Sequence, residues 1–223
     1  MNRCQIPDET LGGHDQNSLH PVLLVGSHIN MQGETADRIL QTARTLIADL
    51  GYSAFSYADI SEAVQIRKAS IHHHFPTKAN LVVAVLRAHR EKFLQGTQFL
   101  TQKIDDPLAR LHAYVQHWEG CIRDKSQPFC IAALLAAELP SLPEEVRVEV
   151  QKHFLALSEW IRQTLEEGVR KRSLKLQGTP EDEAQTFMAT VHGAMLSARA
   201  LGSCDVFQAV TTSALQRIST RKS

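Results

Sequence analysis

The densest run of chemically capable side chains in this chain is Arg67-Lys68-Ala69-Ser70-Ile71-His72-His73-His74. Arginine and lysine neutralise phosphates or pair with guanine, serine bonds a base edge or a phosphate, and a residue as small as Ala69 lets backbone come close to a duplex. Read as a short helix, the run is basic and polar and suits a major groove. A metal reading of the three histidines fails on geometry. Consecutive helical residues point about 100° apart, whereas helical ligand pairs sit three or four positions apart, so no metal site is expected there.

A second candidate for reactivity is Cys130. It opens an apolar helix after a Pro-containing loop, and a thiol at a helix N-terminus can have a lowered pKa. The other reading of Cys130 is a small buried hydrophobe. Catalytic patterns are missing from the sequence: it holds no Gly-x-Ser-x-Gly, no His-Glu-x-x-His, no Gly-rich phosphate loop and no paired acidic motif. We therefore expect a binding protein without a cofactor. An all-helical enzyme or carrier with an incidental DNA-like segment is the alternative from another class.

The basic run needs elements to hold it. Ala58, Ile60, Ala63 and Val64 give a preceding short helix a small apolar face, and Gln65-Ile66 supplies a turn between the two. From Glu34 the apolar residues Ile39, Leu40, Ala43, Leu46, Ile47 and Leu50 recur at three and four, and Gly51 ends that helix. Ser56 is placed to cap the next helix, and Thr77 to cap a long one through Leu81, Val85, Ala88 and Phe93. The result is a three-helix DNA-binding unit over residues 33–78, with a flexible extension expected over residues 1–32.

Residue by residue, this segment resembles the TetR family of one-component repressors, whose pattern runs roughly Ile-Ala-x-x-Ala-Gly-Val-Ser-x-Gly-Thr-Leu-Tyr-x-His-Phe-x-x-Lys. Ile60, Ala63, Ile66, Ser70, Ile71, His74, Phe75 and Lys78 fall where that pattern has the same or a similar residue. Gln65 stands in place of the turn Gly, Arg67 of Ser and His72 of Tyr. The resemblance implies a repressor that reads double-stranded DNA as a homodimer on a palindromic operator and is released by a small-molecule inducer. Arg67, Lys68, Ala69, Ser70 and His72 are then expected to meet DNA, with Ser56, Tyr57, His73 and Lys78 on phosphates. Histidines at phosphate contacts would strengthen binding as pH falls toward about 6.

Residues 79–223 read as a second, ligand-binding and dimerisation domain, also all-helical. A helix from Pro107 carries Leu108, Leu111, Tyr114, Val115, Trp118 and Ile122, and the apolar Phe129–Leu139 follows. Further helices are expected over Glu144–Lys171, Glu181–Leu201 and Asp205–Ile218, giving about nine in all and no strand. The family's ligand chamber implies Tyr114, Trp118, Cys121, Phe129, Cys130, Leu134, Trp160 and His192 as candidates, each of which is also readable as plain core. Phe187, Val191, Ala194, Met195 and Ala198 form a stripe readable as a dimer seam, as intrachain core, or as both, since one helix has two faces. Cys130 also resembles the cysteine of an electrophile-sensing branch of the family, which makes a covalent sensor the alternative mechanism.

Length and charge fit this plan. A chain of 223 residues buries a real core without disulfide staples. Cys4, Cys121, Cys130 and Cys204 lack Cys-x-x-Cys spacing, which points to a reducing cytoplasm. No run approaches the roughly 20 apolar residues of a membrane span, so no membrane partner is expected. Formal charge is balanced at 24 basic and 24 acidic residues. Between Gln65 and Lys92, however, Arg67, Lys68, Lys78, Arg87, Arg90 and Lys92 oppose Glu91 alone, so one face can be positive on a neutral molecule.

Overall fold

A computed structural model describes residues 31–126 and 129–220. Among these the chain is helical throughout, with one isolated bridge between Leu174 and Ser219 and no strand. The helices are α1 (Met31–Leu50), α2 (Tyr57–Val64), α3 (Lys68–His74), α4 (Lys78–Lys103), α5 (Pro107–Arg123), α6 (Ile131–Ala137), α7 (Glu144–Arg170), α8 (Pro180–Leu201) and α9 (Cys204–Ile218). Residues 1–30, most of the expected extension, lie outside the described residues, and α1 begins at Met31, before the periodicity becomes visible at Glu34.

Local chemistry sets the boundaries. Gly51 ends α1 in a left-handed conformation (φ 79°), and its N–H bonds the Ile47 carbonyl at 3.0 Å. Ser56 and Asp59 form a reciprocal capping box on α2, Thr77 accepts from the Asn80 N–H at the start of α4, and Asp106 before Pro107 caps α5. The apolar segment expected over Phe129–Leu139 is shorter as a helix: α6 closes at Ala137 and a 3-10 turn at Leu139–Ser141 takes over where Pro140 cannot continue it.

α1, α2 and α3 share one apolar center in which Ile39, Ala43, Ile47, Ile60 and Ile71 are fully enclosed. Burying a side chain of that size is worth roughly 1.5–3 kcal/mol, so these few residues suffice to seat two very short helices. α4, 26 residues long and hence about 39 Å at 1.5 Å per residue, packs on α1 at one end and α7 along its length. α7, α8 and α9 form the far layer, with α5 against α7 and α9 and α6 between α1 and α7.

Buried charges tie these layers. Arg110 is 3 % exposed and bonds the Ile104 carbonyl and both oxygens of Glu167, which fixes α5 to α7. Glu149 of α7 is 2 % exposed and accepts from Arg87 and Arg90 of α4 and from Lys152. Burial alone would push its carboxyl up; the three cationic donors outweigh burial and hold it down to about 2.

Candidate DNA-reading surface and effector chamber

α3 presents Lys68, Ala69, Ser70, His72 and His73 to solvent and buries only Ile71 fully. Arg67, the exposed N-cap, has extended backbone (φ −71°, ψ 144°), and the preceding turn puts Gln65 in the left-handed region (φ 59°, ψ 45°). The turn that glycine makes easily is thus made here by Gln65, helped by its side-chain bond to the Glu62 carbonyl at 2.7 Å. The His72 ring meets Tyr57 edge-on at 4.8 Å, and its Nδ1 lies 3.2 Å from the Pro76 carbonyl. The face is basic, polar and uninterrupted by ion pairs to acidic side chains among the described residues.

Three residues expected on phosphates are engaged elsewhere. Ser56 remains exposed, but its hydroxyl accepts from the Ala58 N–H and donates to Asp59 as part of the cap. Tyr57 donates to the Phe75 carbonyl at 2.7 Å, and burial pushes its hydroxyl up to about 12. Lys78 donates to the Phe55 carbonyl and sits 4.1 Å and 4.7 Å from the ring centroids of Phe55 and Tyr52. Tyr57 and Lys78 brace the platform from within, because a half-buried polar atom takes the nearest backbone acceptor available.

A cavity of about 340 Å³, partly open to solvent, lies between α4, α5, α7 and the N-cap of α6. Its wall is mainly aromatic and aliphatic, from Phe93, Leu100, Tyr114 and Trp118, with His89, His117, His153, Thr97 and Cys130 as polar groups. Arg44 also lines it, and Arg44 belongs to α1. Two further contacts cross between the units. Glu138, just past α6, accepts from the Tyr52 N–H at 2.9 Å and the Ser53 N–H at 3.3 Å, and Arg199 of α8 donates to the Ala48 carbonyl at 3.1 Å.

Two family descriptions match this architecture: "Bacterial regulatory proteins, tetR family" over residues 39–85 and "Tetracyclin repressor-like, C-terminal domain" over residues 107–214. A solved TetR-family transcriptional regulator from Agrobacterium tumefaciens is 52 % identical, covers 85 % of this chain and 100 % of its own, and superposes with a TM-score of 0.84. This chain belongs to the TetR family. The transcriptional repressor NemR of Escherichia coli is 26 % identical over 169 residues, 74 % of this chain and 84 % of NemR. The reduced form of E. coli NemR, as a structure, covers 83 % of this chain and 98 % of its own with a TM-score of 0.73.

In this TetR-family chain, Tyr114, Trp118 and Cys130 of the expected chamber residues line the cavity. The others do not. Cys121 is half-buried with Sγ 3.8 Å from His117 Nε2, Phe129 lies under the Arg199 guanidinium, Leu134 packs half-buried on α6, Trp160 braces Tyr114 and bonds Thr101 from behind, and His192 packs on Phe154. A lowered Cys130 pKa is also overturned. The amides of Ala132 and Ala133 do pull it down, but complete burial dominates and pushes the thiol up to about 11. The stripe Phe187, Val191, Ala194, Met195 and Ala198 is likewise intrachain core, each residue at most 5 % exposed. The outward faces of α8 and α9 carry Ala189, Gly193, Leu196, Ala200 and Val210 instead. Sequence reasoning missed Arg44, His89 and His153. The signal available for the histidines was their position: His153 falls in the series Val146, Val150, His153, Leu157, where an apolar residue belongs.

Proposed function

We propose that this regulator is a homodimeric repressor that grips a palindromic operator through its two copies of α3 and lets go when a small molecule fills the chamber. The observation that carries the reading is the chamber wall itself. It joins Arg44 of the reading unit to α4, α5 and α7, so one occupant touches both the unit that meets DNA and the domain that senses. A ligand acts by preferring one arrangement of these helices over another, and two reading helices must sit about 34–36 Å apart to enter successive major grooves. The mainly aromatic wall with Arg44 and His117 among it favours a largely apolar inducer bearing one polar or anionic group.

Arg67, Lys68, Ala69, Ser70, His72 and His73 form the contact surface in this reading. Dimerisation falls to the outward faces of α8 and α9. Leu196 is 59 % exposed and Val210 38 %, and the small residues Ala189, Gly193 and Ala200 admit a close partner helix. Selection of genomic fragments by the purified protein at physiological salt tests the proposal. Enrichment of one inverted repeat, bound by two protomers, is expected; retention of fragments that share no repeat would leave only nonspecific charge and defeat it.

A further inference from the structure

In the chamber wall, side chains from α4, α7 and the N-cap of α6 converge. Cys130 Sγ lies 3.6 Å from His89 Nε2 and 3.8 Å from His153 Nε2, and one donor atom from each residue falls within 4.8 Å of the others. All three residues are buried. Hydrogen bonding satisfies both nitrogens only if the imidazoles take different tautomers, one accepting from the thiol and the other donating to the sulfur. A metal ion takes both Nε2 lone pairs in the same tautomer. With metal–sulfur and metal–nitrogen bonds of about 2.3 and 2.05 Å, sulfur-to-nitrogen separations come to about 3.6 Å at a tetrahedral angle and about 3.8 Å at a trigonal one.

We infer that His89, Cys130 and His153 form a binding site for a single thiophilic metal ion of the zinc(II) or copper(I) type. The donor set excludes the hard cations magnesium and calcium, since it offers one sulfur, two imidazole nitrogens and no carboxylate. On binding, the Cys130 thiol gives its proton to solvent and the thiolate sulfur and both Nε2 lone pairs coordinate the ion. The cavity adjoins the cluster, so a fourth ligand can enter from that side. The ion would fasten α4 to α7 and to the start of α6. The site lies in the chamber we read as the effector site, but the proposal does not rest on that reading, because metal affinity is measured with no DNA present.

X-ray absorption at the zinc edge, on the full chain freed of metal by chelator and loaded with one equivalent of zinc(II), tests the assignment on the unaltered protein. A shell of one sulfur and two imidazoles is expected. Should zinc(II) give no such shell, copper(I) loaded without oxygen must give it; its absence with both ions overturns the site. Cobalt(II) supplies the residue-level arm through its thiolate charge-transfer band. The band should persist when Cys4→Ser, Cys121→Ser and Cys204→Ser are combined, vanish in Cys130→Ser, and require at least tenfold more cobalt in His153→Gln. A band that survives Cys130→Ser would place the metal on other cysteines and contradict the inference.

Discussion

Lys68 and Lys78 are ten residues apart and both cationic, yet their surroundings assign them different work. Lys68 is exposed at the first turn of α3, whereas Lys78 is folded onto two aromatic rings and the Phe55 carbonyl. Lys68→Ala should weaken DNA binding and flatten the dependence of log affinity on log salt by about one contact, as an anisotropy titration at several salt concentrations would record. Lys78→Ala should leave that slope intact and instead lower the stability of the chain by about 1–3 kcal/mol in denaturant melts, the worth of one charge-assisted hydrogen bond and its cation–π contacts. Gln65 makes a similar distinction. Its left-handed backbone tolerates glycine but not a β-branched side chain, so Gln65→Val should cost about 1–2 kcal/mol.

At the scale of helices, the joints between the two units are specific. A Cβ on Gly51 would lie 2.2 Å from the Glu138 carboxylate that holds the α1–α2 loop, and its φ is positive as well. Gly51→Ala should therefore destabilise by at least about 1 kcal/mol and disturb the contact between the units. The α4–α7 joint titrates. Glu149 is held below its unfolded value of about 4.3 to about 2, so its stabilisation is complete above the unfolded value and is lost as pH falls from there toward about 2. Glu149→Gln should flatten the stability–pH curve in that window. Helix order and the reading segment were legible in the sequence because capping residues and periodic apolar positions are local signals. The destination of a buried face was not. The Phe187–Ala198 stripe marks α8 as amphipathic, but periodicity does not distinguish packing on α7 and α9 from packing on a second copy. Nor does a helical pattern give depth, which is why Trp160 and His192 pack behind the chamber wall while His89 and His153 form part of it.

The molecule as a whole joins a basic reading face, a chamber touching both units and an outward α8–α9 face left uncovered within one chain. Leu196→Glu should convert the dimer to a monomer in sedimentation and lower operator affinity at least tenfold, whereas Val191→Ala, inside the core, should reduce stability by about 0.5–1.5 kcal/mol per lost buried methyl group without changing stoichiometry. No described helix is long and apolar enough to cross a membrane, and a balanced formal charge is compatible with a positive α3 side. In the proposed repressor, α3 reads sequence rather than merely holding phosphates. Selection from a randomised duplex library, run side by side with the wild type and Ser70→Ala, tests it most directly. We predict a single inverted repeat for the wild type and loss of preference at one symmetric pair of positions for the variant; the same repeat with unchanged preference in both, or no repeat in either, would contradict the claim.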